Sequence, residues 1–361
     1  MRIGILTFHR AHNFGAVLQC YALQETIRQK GHDVEIIDYK QPFIEKLYEP
    51  HFQFLYLIKL CLLLKVKSAF YYLIKYKNDV KQKNNFSKYR KKYQIVSPPF
   101  NNSEIPMCYD RYIIGSDQVW ASYCTNGYAP IFWGHFDRPQ NSKLYGYAIS
   151  GDTSFHQELS DDQIRKNMDL FDDVSFREES LRDDIEKVTG QRKEVCVDPT
   201  LLTDPEIWEP MLNDKWKEKK YVAIYQVRRK SSNKALLEDK AYSFAKKNGY
   251  EVIDINGNGT PCPVEDFVSI IKYAKCIFTS SFHATVFSIL FRTPFFTFIL
   301  NDGHDDRYAN LLYNLHLDNH LVNEDSDIDD VLPFDEKQLK EQLASLRKSS
   351  FNYLERILQD G

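Results

Sequence analysis

The stretch that decides the fold is RIGILTFHRAHNFGAVLQCYALQETIRQKGHDVEIIDY, residues 2–39. It begins with RIGILTF (2–8), a continuous apolar run of the length expected for a strand buried in a parallel sheet. Apolar residues then recur with helical spacing over 16–31 and stop at Gly31, a residue that favours helix ends. DVEIIDY (33–39) has the pattern of a second strand. The three together form a βαβ unit, which predicts a parallel sheet.

The same alternation of strand and helix patterns continues along the rest of the chain. It is interrupted at 197–210 by a segment with three prolines, which we interpret as the hinge between two domains. We predict an N-terminal domain over 1–200, a C-terminal domain over 201–335 and a closing helix over 336–361. Further strands are predicted at 111–115, 143–150, 173–176, 194–198, 221–227, 251–255, 276–280 and 294–299. The pattern predicts two Rossmann-like, doubly wound α/β domains that face each other across a cleft.

Composition excludes several classes of protein. The 361 residues are 43% hydrophobic and 27% charged with a net charge of −3, so a globally basic nucleic-acid binder is not expected. Seven scattered cysteines form no CxxC pair, which favours reduced thiols over disulfides or a structural zinc site. The N-terminus has a strand pattern and lacks the features of a signal peptide. These observations predict a cytoplasmic protein.

A basic aromatic insertion at about 42–95 fits neither predicted domain. Residues 54–77 are rich in Leu, Tyr and Lys and contain no acid, and lysines interrupt them too often for a membrane-spanning helix. One interpretation is an amphipathic helix that lies on an anionic membrane surface, so that 54–93 contacts the inner membrane face. The alternative is a helical hairpin packed on the first domain with its lysines directed outward.

Three short polar stretches are predicted to lie at the cleft. They follow strands directly, and ligands in doubly wound sheets bind outside the carboxyl ends of the strands. The three are HRAHNFG (9–15), GSDQVW (115–120) and SSFH (280–283).

An ordered set of motifs resembles the polysaccharide pyruvyl transferase family. The motifs are TFHRAHNFGAVLQCYAL (7–23), YIIGSDQVW (112–120), GYAISGD (146–152), VSFREES (174–180), CVDPTLL (196–202) and SSFHATVFSILFRTPF (280–295). The resemblance extends from the first strand to about residue 315. It implies two Rossmann-like domains in the GT-B arrangement of glycosyltransferases.

The resemblance also implies a reaction. Members of the family transfer the enolpyruvyl unit of phosphoenolpyruvate to two hydroxyls of a sugar, which gives a pyruvate ketal and phosphate. The expected acceptor is a sugar or lipid-linked oligosaccharide of a capsule, exopolysaccharide or cell-wall precursor. No cofactor is expected besides phosphoenolpyruvate as co-substrate.

Two residues are candidates for proton transfer in such a reaction. His283 lies between a strand pattern and a helix pattern and is the candidate general acid. Asp117 follows a buried strand and is expected to accept a sugar hydroxyl proton or to orient His283. Structural alternatives remain open, since His283 could cap its own helix as a buried neutral residue and Asp117 could form an Asx turn or helix cap.

Contacts to an anionic donor are expected from both domains. Asn13 and Gly15 form the turn after the first strand, where the following helix N-terminus can receive a phosphate. Arg177 can direct its planar guanidinium at a carboxylate or phosphate, or can form a salt bridge with Glu178 or Glu179 instead.

Three further donor contacts are less direct. Arg10 lies beside the first turn and is either a donor contact or an exposed arginine. In the better-known branch of the family the histidine motif reads Ser-x-Arg-Leu-His, and Ser281 occupies the arginine slot here. Either another arginine replaces the missing cation, for which Arg307 with His304 nearby is the candidate, or the donor differs. Neighbouring acids could bind a metal or simply solvate a loop, and we predict no required metal. They are Asp302, Asp305 and Asp306.

Acceptor contacts are assigned to the same loops. Ser116 can supply a hydroxyl, His9 lies beside the first turn, and Trp120 can offer its face to a sugar ring or be a core residue. Two other functions are also consistent with the sequence. One is a glycosyltransferase that uses a nucleotide sugar, and the other is a non-catalytic, membrane-associated partner in glycan assembly.

Overall fold

The computed structural model describes most of the chain. The described residues are 1–99, 105–106, 108–227, 234–255, 257–300, 306–323, 326, 328 and 330–359. The strands among them are β1 (Arg2–Leu6), β2 (Asp33–Ile36), β3 (Arg111–Asp117), β4 (Lys143–Ile149), β5 (Asp173–Phe176), β6 (Glu194–Val195), β7 (Tyr221–Tyr225), β8 (Glu251–Asp254), β9 (Cys276–Thr279), β10 (Phe295–Phe298) and β11 (Leu321–Val322).

Helices alternate with these strands. They are α1 (Phe14–Gln29), α2 (Pro42–Tyr48), α3 (Phe54–Leu62), α4 (Val66–Tyr93), α5 (Ser122–Thr125), α6 (Asp161–Met168), α7 (Glu179–Thr189), α8 (Pro199–Leu202), α9 (Lys234–Asn248), α10 (Val264–Tyr273), α11 (Phe282–Phe291), α12 (Asp306–Asn314) and α13 (Glu336–Gln359). The helix predicted from residue 16 begins two residues earlier, because the side chain of Asn13 caps it by accepting a hydrogen bond from the Ala16 N–H.

The strands form two separate parallel sheets. The first has six strands in the order β2-β1-β3-β4-β5-β6, and the second has five in the order β11-β10-β9-β7-β8. Ile5 in β1 pairs with Ile36 on one side and Ile113 on the other, so the apolar run that opens the chain is an interior strand of its sheet. The predicted doubly wound α/β fold with two parallel sheets is confirmed.

Each sheet has a point at which the direction of winding reverses. In the first sheet it lies between β1 and β3, and in the second it lies between β7 and β9. Loops diverge at such a point and leave a crevice at the carboxyl ends of the strands. The fold therefore offers one binding crevice for each half of the molecule.

The two halves share a hydrophobic core. Phe14 at the start of α1 stacks on Phe267 of α10 at a centroid distance of 4.4 Å. Trp208, in the connection between the sheets, packs edge-on against Phe287 of α11 and also contacts Tyr21 of α1. The first part of the proline-rich connection (198–203) and Trp208 are thus buried between the halves, whereas Glu206, Glu209 and Pro210 are exposed.

The last helix returns to the first sheet. The Tyr353 hydroxyl in α13 donates to the Gly146 carbonyl of β4 at 2.7 Å, and Leu354 and Ile357 pack against Ile3 and Ile5 in one buried cluster. The end of the chain therefore covers a face of the sheet with which the chain begins.

The insertion between β2 and β3 forms a helical hairpin of α3 and α4. Tyr56 and Tyr72 meet across it at 5.4 Å, while Phe86 and Tyr89 near the end of α4 are fully buried in the shared core. The packed-hairpin alternative therefore describes only the second half of α4. Most side chains of α3 and of the first half of α4 are exposed.

Candidate active site

A cavity of about 480 Å³ lies between the two winding-reversal points. Its walls come from the ends of β1, β3 and β5 in the first sheet, from the ends of β7 and β9 in the second sheet, and from α12. Among the lining residues are Asn13 after β1, Asp117 at the end of β3, Tyr225 at the end of β7, and Ser281 and His283 after β9. The two crevices thus open into one space.

A second cavity of about 360 Å³ adjoins the first. Arg177, Phe282 and Arg307 line both, so the two spaces share a wall. The second cavity is otherwise lined largely by α12 and by the segment that leads into α8, including Asn310 and Asp198. Together the cavities can hold a small anion and part of a sugar side by side.

His283 is held between the halves by α1 and α11. It is the second residue of α11, and its ring lies so close to Gly15 of α1 that an added Cβ there would be 2.0 Å from Nδ1. Ser281 caps α11 by accepting a hydrogen bond from the Ala284 N–H at 3.4 Å. His283 therefore does not cap its own helix, and its imidazole is partly exposed at the cavity.

A buried carboxylate lies beside this imidazole. Asp198 Oδ2 is 3.4 Å from His283 Nε2, and the Asp198 side chain is fully buried. The contact is within ion-pair distance but lacks hydrogen-bond geometry, and Nε2 has no hydrogen-bond partner within the described residues.

Asp198 is itself fixed by several donors. Its Oδ1 accepts from the Thr200 N–H at 3.0 Å and from the Thr200 hydroxyl at 2.6 Å, and its Oδ2 accepts from Arg177 at 2.9 Å. Burial alone would raise the pKa of the Asp198 carboxyl, but His283 and Arg177 outweigh burial and hold this pKa below its ordinary value. The residue is therefore ionised throughout the neutral pH range.

Arg177 is a buried hub at the shared wall of the cavities. It donates to Glu178 and Asp198 at 2.9 Å each and to the Ser150 hydroxyl at 2.7 Å. These contacts use three of its five N–H donors. Burial would lower the pKa of Arg177, but the carboxylates of Glu178 and Asp198 raise it above its ordinary value. The salt bridge weighed as the alternative for this residue is therefore present, although the side chain still reaches both cavities.

Two helix N-termini converge on the first cavity. Asn13 caps α1 and Ser281 caps α11, and both capping residues line the cavity. The N-terminal end of a helix carries partial positive charge and backbone N–H groups that bind phosphate and carboxylate. Arg307, the second residue of α12, adds a full positive charge to the lining of this cavity. The cavity is thus suited to a small anion.

Asp117 lines the same cavity as His283 and has a backbone φ of 85°. Its Oδ1 accepts from the N–H of the next residue, Gln118, at 2.9 Å, and this bond is neither an Asx turn nor a helix cap. Left-handed backbone at a non-glycine residue is costly and recurs at functional sites.

The family assignment follows from the sequence of this same region. The polysaccharide pyruvyl transferase family model matches residues 13–303, which include every described wall residue named above except Arg307 and Asn310. The chain belongs to the polysaccharide pyruvyl transferase family. No protein with a curated description matches the chain in sequence.

Solved structures with a similar overall fold are distant in sequence. They include UDP-GlcNAc 2-epimerase from Methanocaldococcus jannaschii, with 12% identity, full coverage of both chains and a TM-score of 0.47. The spinosyn forosaminyltransferase SpnP has 11% identity, full coverage of both chains and a TM-score of 0.43. The glycosyltransferase SnogD from Streptomyces nogalater has 12% identity, a TM-score of 0.38, and coverage of 97% of this chain and 95% of its own.

Four predicted site residues of this family member lie away from both cavities. The Trp120 ring is buried, stacks on Trp133 at 3.9 Å and donates its Nε1–H to the Phe132 carbonyl. Ser116 is buried and donates to the Ala148 carbonyl at 3.0 Å. The core alternative for Trp120 is therefore the one observed, and neither side chain is placed to contact an acceptor.

His9 and Arg10 belong to a separate polar cluster around Asp38. His9 Nε2 lies 2.7 Å from Asp38 Oδ1, and Arg10 donates to both Asp38 oxygens at 2.6 and 2.9 Å and to Glu45. Both residues follow β1 as predicted, but Asp38 at the end of the neighbouring strand holds their side chains away from the cavity.

Sequence reasoning missed Asp198. The signal was present in CVDPTLL, where an aspartate precedes a proline at the start of a short helix, but this pattern is also that of an ordinary helix cap. Only the approach of α11 to α8 shows which imidazole the carboxylate meets.

The remaining predictions about ligands lie partly outside the described residues. His304, Asp302 and Asp305 fall there, so their expected roles stay predictions. Within the described part of the chain, no group of three or more His, Cys, Asp or Glu side chains is placed to hold a metal ion. No helix in that part is both long and apolar enough to cross a bilayer.

Proposed function

We propose that this protein transfers the pyruvyl unit of phosphoenolpyruvate to two hydroxyls of one sugar and forms a cyclic ketal. The observation that carries the proposal is the placement of His283, which lies with an ion-paired carboxylate at a cavity flanked by two helix N-termini. Family membership supports a pyruvyl transfer to a glycan. The anion-binding character of the cavity supports a phosphorylated carboxylate as the donor.

In the proposed reaction, His283 protonates the methylene carbon of phosphoenolpyruvate. The carbon that bears the phosphate then gains carbocation character and is attacked by the first sugar hydroxyl. The bond between this carbon and the phosphate oxygen then breaks, and phosphate leaves. The second hydroxyl adds to the same carbon and closes the ketal ring. One hydroxyl proton replaces the proton lost by His283, and the other leaves with phosphate, so the imidazole is ready for another turnover.

Asp198 acts in this proposal as a positioning residue. Its carboxylate, fixed by Thr200 and Arg177, lies 3.4 Å from His283 Nε2 and orients the imidazole for proton transfer. Arg177 in turn prevents Asp198 from taking up a proton itself. Asp117 lies in the same cavity and is the proposed acceptor for a sugar hydroxyl proton.

The donor anion is proposed to bind between the two helix N-termini and Arg307. Ser281 stands where the better-known branch has arginine, and it caps α11. The N–H groups at the start of this helix and the Arg307 guanidinium would together replace the missing cation. The adjoining cavity, with Asn310, Asn314 and Tyr313 in its wall, is the proposed acceptor site, because amides and an aromatic face suit a sugar.

The acceptor is proposed to be a lipid-linked glycan precursor presented at the inner face of the plasma membrane, as part of the assembly of a capsule or exopolysaccharide. Support comes from the exposed apolar and basic surface of the hairpin α3–α4. A membrane-bound acceptor accounts for such a surface, which an enzyme that acts on soluble sugars would not need.

The proposal is tested with purified protein, phosphoenolpyruvate and a panel of glycan acceptors, with product mass and phosphate release as readouts. We expect a product heavier by one pyruvate ketal. His283→Ala should lower kcat by roughly 10²–10⁴-fold because the proton donor is lost. Asp198→Asn should lower kcat with little change in KM and should alter the pH profile. Rescue of the profile by Asp198→Glu would separate positioning from a purely structural role.

His32→Ala provides the matched control, since this histidine lies at the turn after α1 and outside both cavities. Near-full turnover of His283→Ala would remove His283 from the mechanism. A thermal shift caused by nucleotide sugars but not by phosphoenolpyruvate would favour a glycosyltransferase instead. Stabilisation by neither ligand would favour a non-catalytic partner in glycan assembly.

A further inference from the structure

The hairpin of α3 and α4 carries the largest exposed apolar surface among the described residues. We call residues 52–77 the hairpin patch. Its most exposed side chains include Leu55 at 80%, Leu62 at 79%, Leu64 at 85% and Val66 at 70%. Exposed apolar surface that is contiguous on this scale marks an interaction site in a folded protein.

Packing inside the hairpin does not account for these side chains. Leu60 and Ala69 are buried between the helices, and Tyr72 closes the hairpin by accepting a hydrogen bond from the Gln53 N–H at 2.5 Å. Leu55 and Leu62 are seven residues apart and share the opposite face of α3, while Leu64 lies at the turn. The apolar residues therefore form an outer face that covers none of the residues that the structure describes.

The charge of the hairpin patch is of one sign. Residues 51–78 contain no Asp or Glu, whereas five lysines are interspersed among the apolar residues and all five are exposed. The first acid after them, Asp79, pairs with Lys75 at 2.6 Å. The lysines are Lys59, Lys65, Lys67, Lys75 and Lys77.

We propose that the hairpin patch docks on the surface of an anionic phospholipid membrane. Leucine and aromatic side chains would enter the boundary between headgroups and acyl chains, and the lysines would contact the acidic headgroups around them. The observation that selects a membrane is the mixture of exposed apolar residues with lysines, of which only Lys75 pairs with an acid among the described residues. A second copy of the chain fits less well, because a symmetric contact would bring the lysines of both copies together.

The length of α4 relates this surface to the active site. Val66 at the start of α4 is 20 residues from Phe86, which stacks on His12 at 5.1 Å next to the cavity residue Asn13. At about 1.5 Å per residue this is roughly 30 Å of helix. Docking by the tip of the hairpin would therefore hold the active site above the membrane surface, at a distance that an extended glycan can span.

The docking proposal shares its membrane with the proposed function but does not depend on the reaction. Lipid binding is measured without donor or acceptor, so its failure would leave pyruvyl transfer intact as a hypothesis. Conversely, failure of pyruvyl transfer with every acceptor would leave the lipid measurement unaffected.

Co-sedimentation of the full chain with vesicles tests the proposal. Vesicles of phosphatidylcholine alone are compared with vesicles that also contain phosphatidylglycerol. We expect binding to the anionic vesicles that weakens with added salt. Replacement of Lys59, Lys65 and Lys67 by Gln should reduce partitioning on the order of 100-fold, at about fivefold per lysine. A second triple variant, with Leu55, Leu62 and Leu64 replaced by Ser, should lose at least about tenfold.

Tyr242→Ser is the matched control, since Tyr242 is 55% exposed on α9 in the other half of the chain. It should bind vesicles as the unaltered protein does. Circular dichroism melting of each variant verifies the fold, and the single variant Leu64→Ser replaces any triple variant that misfolds. Absence of vesicle binding, equal binding to both vesicle types, or a lipid-free dimer that the leucine variant converts to monomer would each overturn the proposal.

Discussion

The contact between His283 and Gly15 links one residue of the C-terminal half to one residue of the N-terminal half. Gly15 lies in the first turn of α1, where any larger residue would place an atom inside the imidazole of His283. A glycine in a helix is ordinarily unfavourable by about 0.5–1 kcal/mol relative to alanine. Here the absence of a side chain lets the imidazole of His283, in α11 of the second half, contact α1 of the first half. The role of Gly15 is therefore to permit this close approach of the two helices.

This contact predicts that the effect of Gly15→Ala on the free energy of unfolding depends on the residue at position 283. In the unaltered protein, Gly15→Ala should reduce the free energy of unfolding by about 1–3 kcal/mol, because the added Cβ would lie 2.0 Å from His283 Nδ1. In a His283→Ala background the same change should be neutral or stabilising by about 0.5–1 kcal/mol, because the overlap is gone and alanine favours the helix. Urea titrations of the four proteins measure both values. Equal effects in the two backgrounds would contradict the placement of His283.

At the scale of elements, α4 combines two environments along one helix. Its second half contributes Phe86 and Tyr89 to the core shared by both halves of the molecule. Its first half exposes Phe70 at 65% and Tyr71 at 64%. The helix therefore links a surface that faces outward to the residues that support the active site.

Two phenylalanines of this helix provide a matched pair of substitutions. Phe86→Ala should reduce the free energy of unfolding by about 3–5 kcal/mol, because Phe86 is fully buried against His12 and Phe14. Phe70→Ala should change it by no more than about 0.5 kcal/mol, since its ring is largely exposed. Urea denaturation followed by far-UV circular dichroism gives both values. Similar losses for the two variants would show that Phe70 is covered in solution.

At the scale of the whole molecule, one core unites the two sheets. The buried cluster around Trp208 contains residues of α1, α4, α8, α10 and α11, so it takes in helices from both halves. The last helix, α13, then returns from the second half to cover the first sheet. Neither half can unfold without exposing apolar surface of the other.

Because the two halves share one hydrophobic core, we expect the protein to unfold in one cooperative transition. Trp120 and Trp133 lie in the first half, and Trp208 and Trp216 lie in the connection and in the turn before the second sheet. Tryptophan fluorescence and far-UV circular dichroism should therefore give coincident urea curves. Phe267→Ala, which removes the ring stacked on Phe14, should shift both curves to lower urea together. Two separated transitions in the unaltered protein would contradict the shared core.

Sequence patterns alone were sufficient to predict ten of the eleven described strands in order, both parallel sheets and the family, but they did not predict the short edge strand β11. The apolar run RIGILTF predicts a strand and the helical spacing of 16–31 predicts a helix. Both patterns follow from the repeat geometry of a few consecutive residues, so the sequence alone is sufficient to detect them. The same logic placed Asn13, Asp117 and His283 after strands, which brought them to one cavity. Parallel strands end at the same edge of a sheet, so position in the chain was sufficient for these three residues.

Only the tertiary structure decided which distant side chains meet. The local sequence around Asp198 indicates only a helix cap, but the packing of α8 between the halves places this carboxylate beside His283. Trp120 follows the right strand, but a stacked Trp133 draws it into the core, and Asp38 likewise holds His9 and Arg10 away from the cavity. Such partners lie far apart in the chain, and their contacts depend on how all the elements pack together, which no local pattern encodes.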